Sequence, residues 1–242
     1  MPLISSLLFS IALVLAVTLG PQTRAWSWGP ALFFLIGSLA TSIPSLIQGK
    51  RQLSLAHLVL FVITALWFAG RAWGSPVGEL ARADLMLLTA TVSSFVVVST
   101  FTQNKASEGV FVWTLAILVA ASSLVIAKQV QDPSFAPIFS NRPAQLPSGF
   151  YGHYNEGANF LLGTSFLLAG FALFGTYSKI NRWAWGAIAI AGLAAVYFTR
   201  SRGAILGVGV GAIAFTFFSL IIAKPANRRW FAPAAVLLPV LL

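Results

Sequence analysis

Long, unbroken apolar runs alternate with short polar breaks along this chain, and the rhythm repeats eight times. The apolar segments are Leu3–Gly20, Gly29–Gln48, Leu55–Gly70, Leu85–Thr102, Val110–Ala127, Gly157–Gly175, Trp183–Thr199 and Gly203–Ala223, each 16 to 21 residues long. A helix rises about 1.5 Å per residue, so roughly 20 residues cross a bilayer core. In lipid every backbone N–H and C=O must be paired internally, which leaves helices or closed barrels. Barrel strands alternate apolar and polar residues, whereas these runs are continuous. A ninth run opens at Trp230 and reaches Leu242 after 13 residues, short of a span. The predicted fold class is all-α: a polytopic helical membrane protein of about eight transmembrane helices plus a truncated ninth. The chain is expected to be the N-terminal portion of a longer protein. Its opening, MPLISSLLFS, lacks a positive n-region, so a retained first helix is expected rather than a signal peptide.

The polar breaks are short, with one exception. Lys128–Glu156 runs for 29 residues and carries Pro133, Pro137, Pro143 and Pro147, with Gly149 and Gly152. Loops of this length usually carry function or are disordered. The run Phe150-Tyr151-Gly152-His153-Tyr154 argues against disorder, where aromatics are scarce. Three regions follow: a five-helix membrane region at 1–127, a long external loop at 128–156, and a second helical region at 157–242. With the N-terminus inside, eight basic residues fall on the inner side and seven on the outer. The bias is weak, but it selects an N-inside topology. The long loop and the Arg200–Arg202 turn then share the outer face.

Composition sharpens this picture. Hydrophobic residues make up 58% and charged residues 8%, against about 25% charged in a soluble domain. No cysteine is present, which excludes disulfides and thiolate metal sites. The two histidines and five carboxylates show no ligand spacing, so neither a metal nor a cofactor is expected. The net charge of +10 comes from 15 Lys and Arg scattered between apolar runs. That pattern suits topogenic charge and anionic lipid headgroups, not nucleic acid. The eight tryptophans mostly sit near segment ends, as in an interfacial belt. His57 reads as a packed or interfacial histidine. Glu79, Arg82 and Asp84 read as a connection whose charges pair at the surface.

Two polar features stand apart. The first is Thr199-Arg200-Ser201-Arg202-Gly203, wedged between two apolar runs. Two guanidinium groups in one tight turn repel each other unless an anion lies between them. Their planar donor forks match phosphate oxygens. Gly203 is expected to permit the sharp backbone reversal. The plainer reading is a pair of arginines snorkelling to headgroups. The second feature is the run Gly149–Asn159, which closes the long loop and begins the sixth segment. Asn155 is the predicted N-cap, with Glu156 in the first turn and Asn159 on the same face. A helix N-terminus offers free N–H groups to phosphate, and His153 could act as a general base.

Together these features resemble the O-antigen ligase and polymerase superfamily of bacterial lipid-linked glycan transferases. Its Gly…Asn-x-x-Ala-x-x-Leu segment corresponds to Gly152, Asn155, Ala158 and Leu161. Its Ser-Arg-Gly motif corresponds to Ser201, Arg202 and Gly203. The matching stretch runs from about Gly149 to Ala223. The resemblance implies a metal-independent glycosyltransferase at the outer face of the bacterial inner membrane. Its donor would be a glycan on undecaprenyl diphosphate. The acceptor would be a hydroxyl of another glycan, of lipid A–core sugar or of protein. Arg202 and Arg200 would hold the diphosphate, with His153 as a candidate base. Tyr151, Gly152, Tyr154, Asn155, Asn159, Arg142, Ser201 and Gly203 would line the substrate site. Family members carry a large external loop after the Ser-Arg-Gly helix pair, beyond where this sequence stops. A function of another class remains open: a transporter or flippase of an anionic lipid-linked substrate, with Arg200 and Arg202 gripping the head group in transit.

Overall fold

The computed structural model describes residues 2–19, 25–48, 55–101, 104–137 and 146–222. Every regular element among them is a helix: α1 (Pro2–Leu19), α2 (Ala25–Gln48), α3 (Leu55–Trp73), α4 (Gly78–Phe101), α5 (Lys105–Gln131), α6 (Tyr154–Phe174), α7 (Lys179–Phe198) and α8 (Arg202–Ile222). The eight helices coincide with the eight apolar segments. Six of them, α1, α2, α4, α5, α6 and α8, are long and apolar enough to cross a membrane. By length and composition this is a multi-pass helical membrane protein. Among the described residues α3 and α7 fall short of that measure. In α3 the described apolar stretch is only Leu58–Trp73. In α7, Lys179, Asn181 and Arg182 occupy the first turn and alanine and glycine fill much of the rest, which lowers its hydropathy. The ninth run lies outside the described residues, as does the Lys224–Arg229 break.

Helix ends extend past the apolar runs. Glu79, Arg82 and Asp84 belong to the first turns of α4 rather than to a connection. The side chains of Glu79, Arg82 and His57 lie outside the described residues. The long connection shrinks to 132–153, because α5 continues to Gln131 and α6 starts at Tyr154.

The chain divides into two compact units, Met1–Thr114 and Leu115–Leu242, with the boundary inside α5. In the first, Phe9 of α1, Phe101 of α4 and Phe111 of α5 form a triangle with centroids 5.7 to 6.0 Å apart. Buried Leu35 and Val97 join the same cluster. Lipid supplies little hydrophobic drive between helices, so packing and interhelical hydrogen bonds carry the association. Ser5 and Ser38 illustrate this. Ser5 Oγ donates to the Ser38 carbonyl at 2.9 Å, and Ser38 Oγ donates to the Ser5 carbonyl at 2.7 Å. Such bonds average about 0.6 kcal/mol in membranes.

In the second unit, small residues bring backbones together. Gly192 of α7 lies against Ser165 of α6 and Val119 of α5, where an added Cβ would overlap the Ser165 hydroxyl. α6 and α8 run parallel. The pairs Leu162–Gly207, Phe166–Gly211 and Gly170–Phe215 meet in step, one turn at a time. Arg182, read from sequence as a topology marker, caps the other end of α6: Nε donates to the Ala172 carbonyl at 2.7 Å and Nη2 to that of Leu173 at 2.8 Å. Parallel packing sets the N-termini of α6 and α8 side by side.

Candidate functional site: the paired N-termini of α6 and α8

The site begins with a buried amide. Gln129, two residues before the end of α5, is 1% exposed. Its Oε1 accepts from the backbone N–H groups of Ser148 at 2.8 Å and Gly149 at 3.0 Å, and its Nε2 donates to the Gly149 carbonyl at 3.0 Å. One side chain thus satisfies three backbone groups that water cannot reach. Gly149 sits at φ 69°, a conformation that favours glycine. Ser148 Oγ donates to the Tyr151 carbonyl at 2.6 Å, folding the last loop residues into a compact turn. Gly157 of α6 packs directly on the Ser148 carbonyl, and any Cβ there would collide with it. Sequence reasoning missed Gln129, because Gln131 two residues later looks identical yet is exposed.

From this clamp the chain enters α6. His153, not Asn155, is the N-cap: its backbone is extended, and its Nδ1 accepts from the Asn155 N–H at 3.2 Å. Asn155 moves to the second helical position, which frees its side chain for another role. The His153 ring stacks on Tyr154, centroids 4.4 Å apart. With Nδ1 accepting, the neutral ring carries its proton on Nε2. A general-base role at Nε2 would require the other tautomer and loss of the cap. Burial raises the Tyr151 phenol above its ordinary titration range, and the Glu156 charge adds to this. Tyr151 also packs beside Phe160.

The freed Asn155 reaches across. Ser201 Oγ donates to Asn155 Oδ1 at 2.7 Å, joining residues 46 positions apart. The same Ser201 Oγ accepts from the Ala204 N–H at 3.3 Å, so Ser201 is the N-cap of α8. Its own N–H donates to Thr199 Oγ1 at 3.3 Å. Thr199 and Ser201 are buried, and the residue between them is not. The reversal falls on Arg200, whose φ is 58°. Left-handed backbone costs a non-glycine residue about 1–2 kcal/mol. Gly203, expected to supply the reversal, instead sits in the first turn of α8 with open space around it. Strain held on a charged residue, inside a turn fixed from both sides, fits a positioned functional group.

The two arginines part company. Arg200 lines a cavity of about 580 Å³, together with Gln129, Pro133, Pro147 and Tyr197. Arg202 is exposed on the first turn of α8 and does not line it. Among the described residues neither guanidinium forms a salt bridge, and the one ion pair is Lys105–Glu108 at 2.9 Å. Asn159 is exposed one turn beyond Asn155, on the face predicted for it, and Gly152 lies half-buried in the turn before the cap. Arg142 lies outside the described residues. The structure therefore joins Asn155 to Ser201, places the adjacent Arg200 on the wall of a cavity that neither of them lines, leaves Arg202 outside it and makes His153 a capping group. Comparison of the chain with protein-family models, curated proteins and solved structures yields no match.

Proposed function

We propose that the chain is a membrane glycosyltransferase of the O-antigen ligase or polymerase type. It would move a glycan from undecaprenyl diphosphate to an acceptor hydroxyl, at the outer face of a bacterial inner membrane. The observation that carries this reading is the 2.7 Å Ser201–Asn155 bond. It sets two helix N-termini together, each a natural seat for phosphate, beside an unpaired guanidinium that lines a cavity.

In the reaction the acceptor oxygen bonds to the anomeric carbon. The bond from that carbon to the diphosphate oxygen breaks, its electron pair stays on that oxygen, and the hydroxyl proton passes to the departing diphosphate. Charge accumulates on the diphosphate. Arg200 meets it from the cavity wall and Arg202 from the first turn of α8, with the positive end of that helix behind them. Donors fixed before reaction stabilise developing charge without reorganisation. That is why strain at Arg200 and a clamp at Gln129 are worth maintaining. His153 acts by holding the first turn of α6, while Tyr151 and Asn159 flank the donor. Support for a transporter is thinner. A transporter places ionisable groups near mid-membrane, whereas Arg200 and Arg202 both sit at helix ends.

The test is glycan transfer by the purified full-length gene product from an undecaprenyl-diphosphate donor. Arg200→Ala and Arg202→Ala are assayed alongside. Arg200→Ala should lower turnover by about 10²–10³-fold, the usual effect of removing one such donor, and Arg202→Ala by less. Wild-type rates in both variants would refute the reading.

A further inference from the structure

In the first unit, α3 packs against α4 and leaves most of its surface open. Leu60, Leu66 and Trp67 are each about two-thirds exposed. Phe61 and Phe95 stack face to face at 3.8 Å and fasten the two helices together. Beside that stack a cavity of about 1020 Å³ opens between the helices. Trp67 and Phe68 of α3 and Leu87 and Leu88 of α4 line its body. Arg71, Asp84 and the Gly74–Pro76 turn line its other end. Both charged side chains are exposed, and among the described residues they pair neither with each other nor with anything else.

The dimensions carry meaning. From Arg71 to Phe61 the lining covers ten residues of helix, about 15 Å. That is half of a ~30 Å hydrocarbon core, or one leaflet. The cavity thus has an apolar shaft one leaflet deep and a polar mouth where headgroups lie. Among the described residues the mouth carries one cation and one anion. A purely anionic headgroup would meet repulsion from Asp84, and an uncharged lipid would leave both charges uncompensated. A headgroup with a phosphate and a primary ammonium satisfies both.

We infer that the α3–α4 groove is a binding site for a zwitterionic phospholipid with a primary ammonium, such as phosphatidylethanolamine. An acyl chain lies along Trp67, Phe68, Leu87 and Leu88. Arg71 holds the phosphate and Asp84 the ammonium. The lipid completes a helix that protein contacts leave largely uncovered.

Native mass spectrometry of the purified full chain tests this, using vesicles of equimolar phosphatidylethanolamine and phosphatidylglycerol as the lipid source. The wild type should retain phosphatidylethanolamine about tenfold over phosphatidylglycerol, the discrimination of one charge-assisted contact. Asp84→Asn should bring that ratio close to one. Arg71→Gln should lower retention of both lipids about tenfold. Equal retention by the wild type, or a wild-type ratio in both variants, would overturn the proposal. So would displacement of the phospholipid by an equimolar amount of undecaprenyl phosphate, which would assign the groove to a polyprenyl chain. Should the variants fail to fold, a photoreactive phosphatidylethanolamine decides on the wild-type chain alone. Crosslinks should fall on Trp67–Phe68 and Leu87–Leu88, and crosslinks scattered over other lipid-facing helices would overturn the site.

Discussion

The junction of α6 and α8 and the groove beside α3 are polar sites built on opposite plans. At the junction the groups that fix the backbone around Arg200 hold one another. Gln129 fixes Ser148 and Gly149, His153 caps α6, and Ser201 both caps α8 and donates to Asn155. Arg200 then projects from a turn whose neighbours are buried. At the groove, Arg71 and Asp84 form no ion pair among the described residues, on helices joined by the Phe61–Phe95 stack. The first plan positions a guanidinium closely, as charge stabilisation during a reaction demands. The second leaves its charges and apolar wall to be completed by something mobile, such as a lipid. In a chain with so few charges, whether the turn that carries a charge is itself held in place separates the two roles.

The largest effect expected from breaking this contrast comes at Gln129. Gln129→Leu leaves three buried backbone groups without partners, each worth about 1–3 kcal/mol. Thermal unfolding in detergent should show a loss of at least about 3 kcal/mol. Gln129→Glu, which keeps the acceptor oxygens, should cost less. Next comes Gly192→Val, which forces side chain into the α5–α6–α7 contact. Overpacking of this kind costs about 1–3 kcal/mol, read in the same melt.

Arg200→Gly should act in the opposite direction. Removing left-handed strain should raise stability by about 1 kcal/mol while abolishing whatever the guanidinium does. A variant that is more stable yet inactive is the mark of strain maintained for function. Tyr151 gives a smaller, pH-dependent effect. Its phenol titrates higher in the folded chain than in the unfolded one, where tyrosine titrates near 10. Its contribution is therefore complete below about pH 10 and is lost as pH rises through the folded value. Alkaline titration of stability should fall more steeply for the wild type than for Tyr151→Phe. At the bottom of the scale, Leu66→Ala on the open face of α3 should change stability by less than about 0.5 kcal/mol.

Much of this could be read from the residues alone, and the rest fails for definite reasons. Unbroken apolar runs locate all eight helices, because lipid allows the backbone no other pairing. Helix α7 starts four residues before its apolar run, because Lys179–Arg182 form its polar first turn. Asn155 and Ser201 each stand out by composition, but no spacing rule announces a hydrogen bond across 46 residues. Asparagine is the commoner cap, so the residues point to Asn155 rather than His153. Glycine is the usual holder of positive φ, so they point to Gly203 rather than Arg200. Arg200 and Arg202 look equivalent in a turn of three residues. Only the start of α8 at Arg202 sends one outward and leaves the other on the cavity wall.

The claim that the α6–α8 junction receives a diphosphate through Arg200 is tested most directly by equilibrium binding of undecaprenyl diphosphate. The purified full-length gene product would be titrated as wild type, Arg200→Ala and Asn155→Ala. Arg200→Ala is expected to weaken binding at least about tenfold, the effect of losing one charge-assisted contact. Asn155→Ala should weaken it less, by loosening the junction. Equal affinity in all three proteins would contradict the assignment.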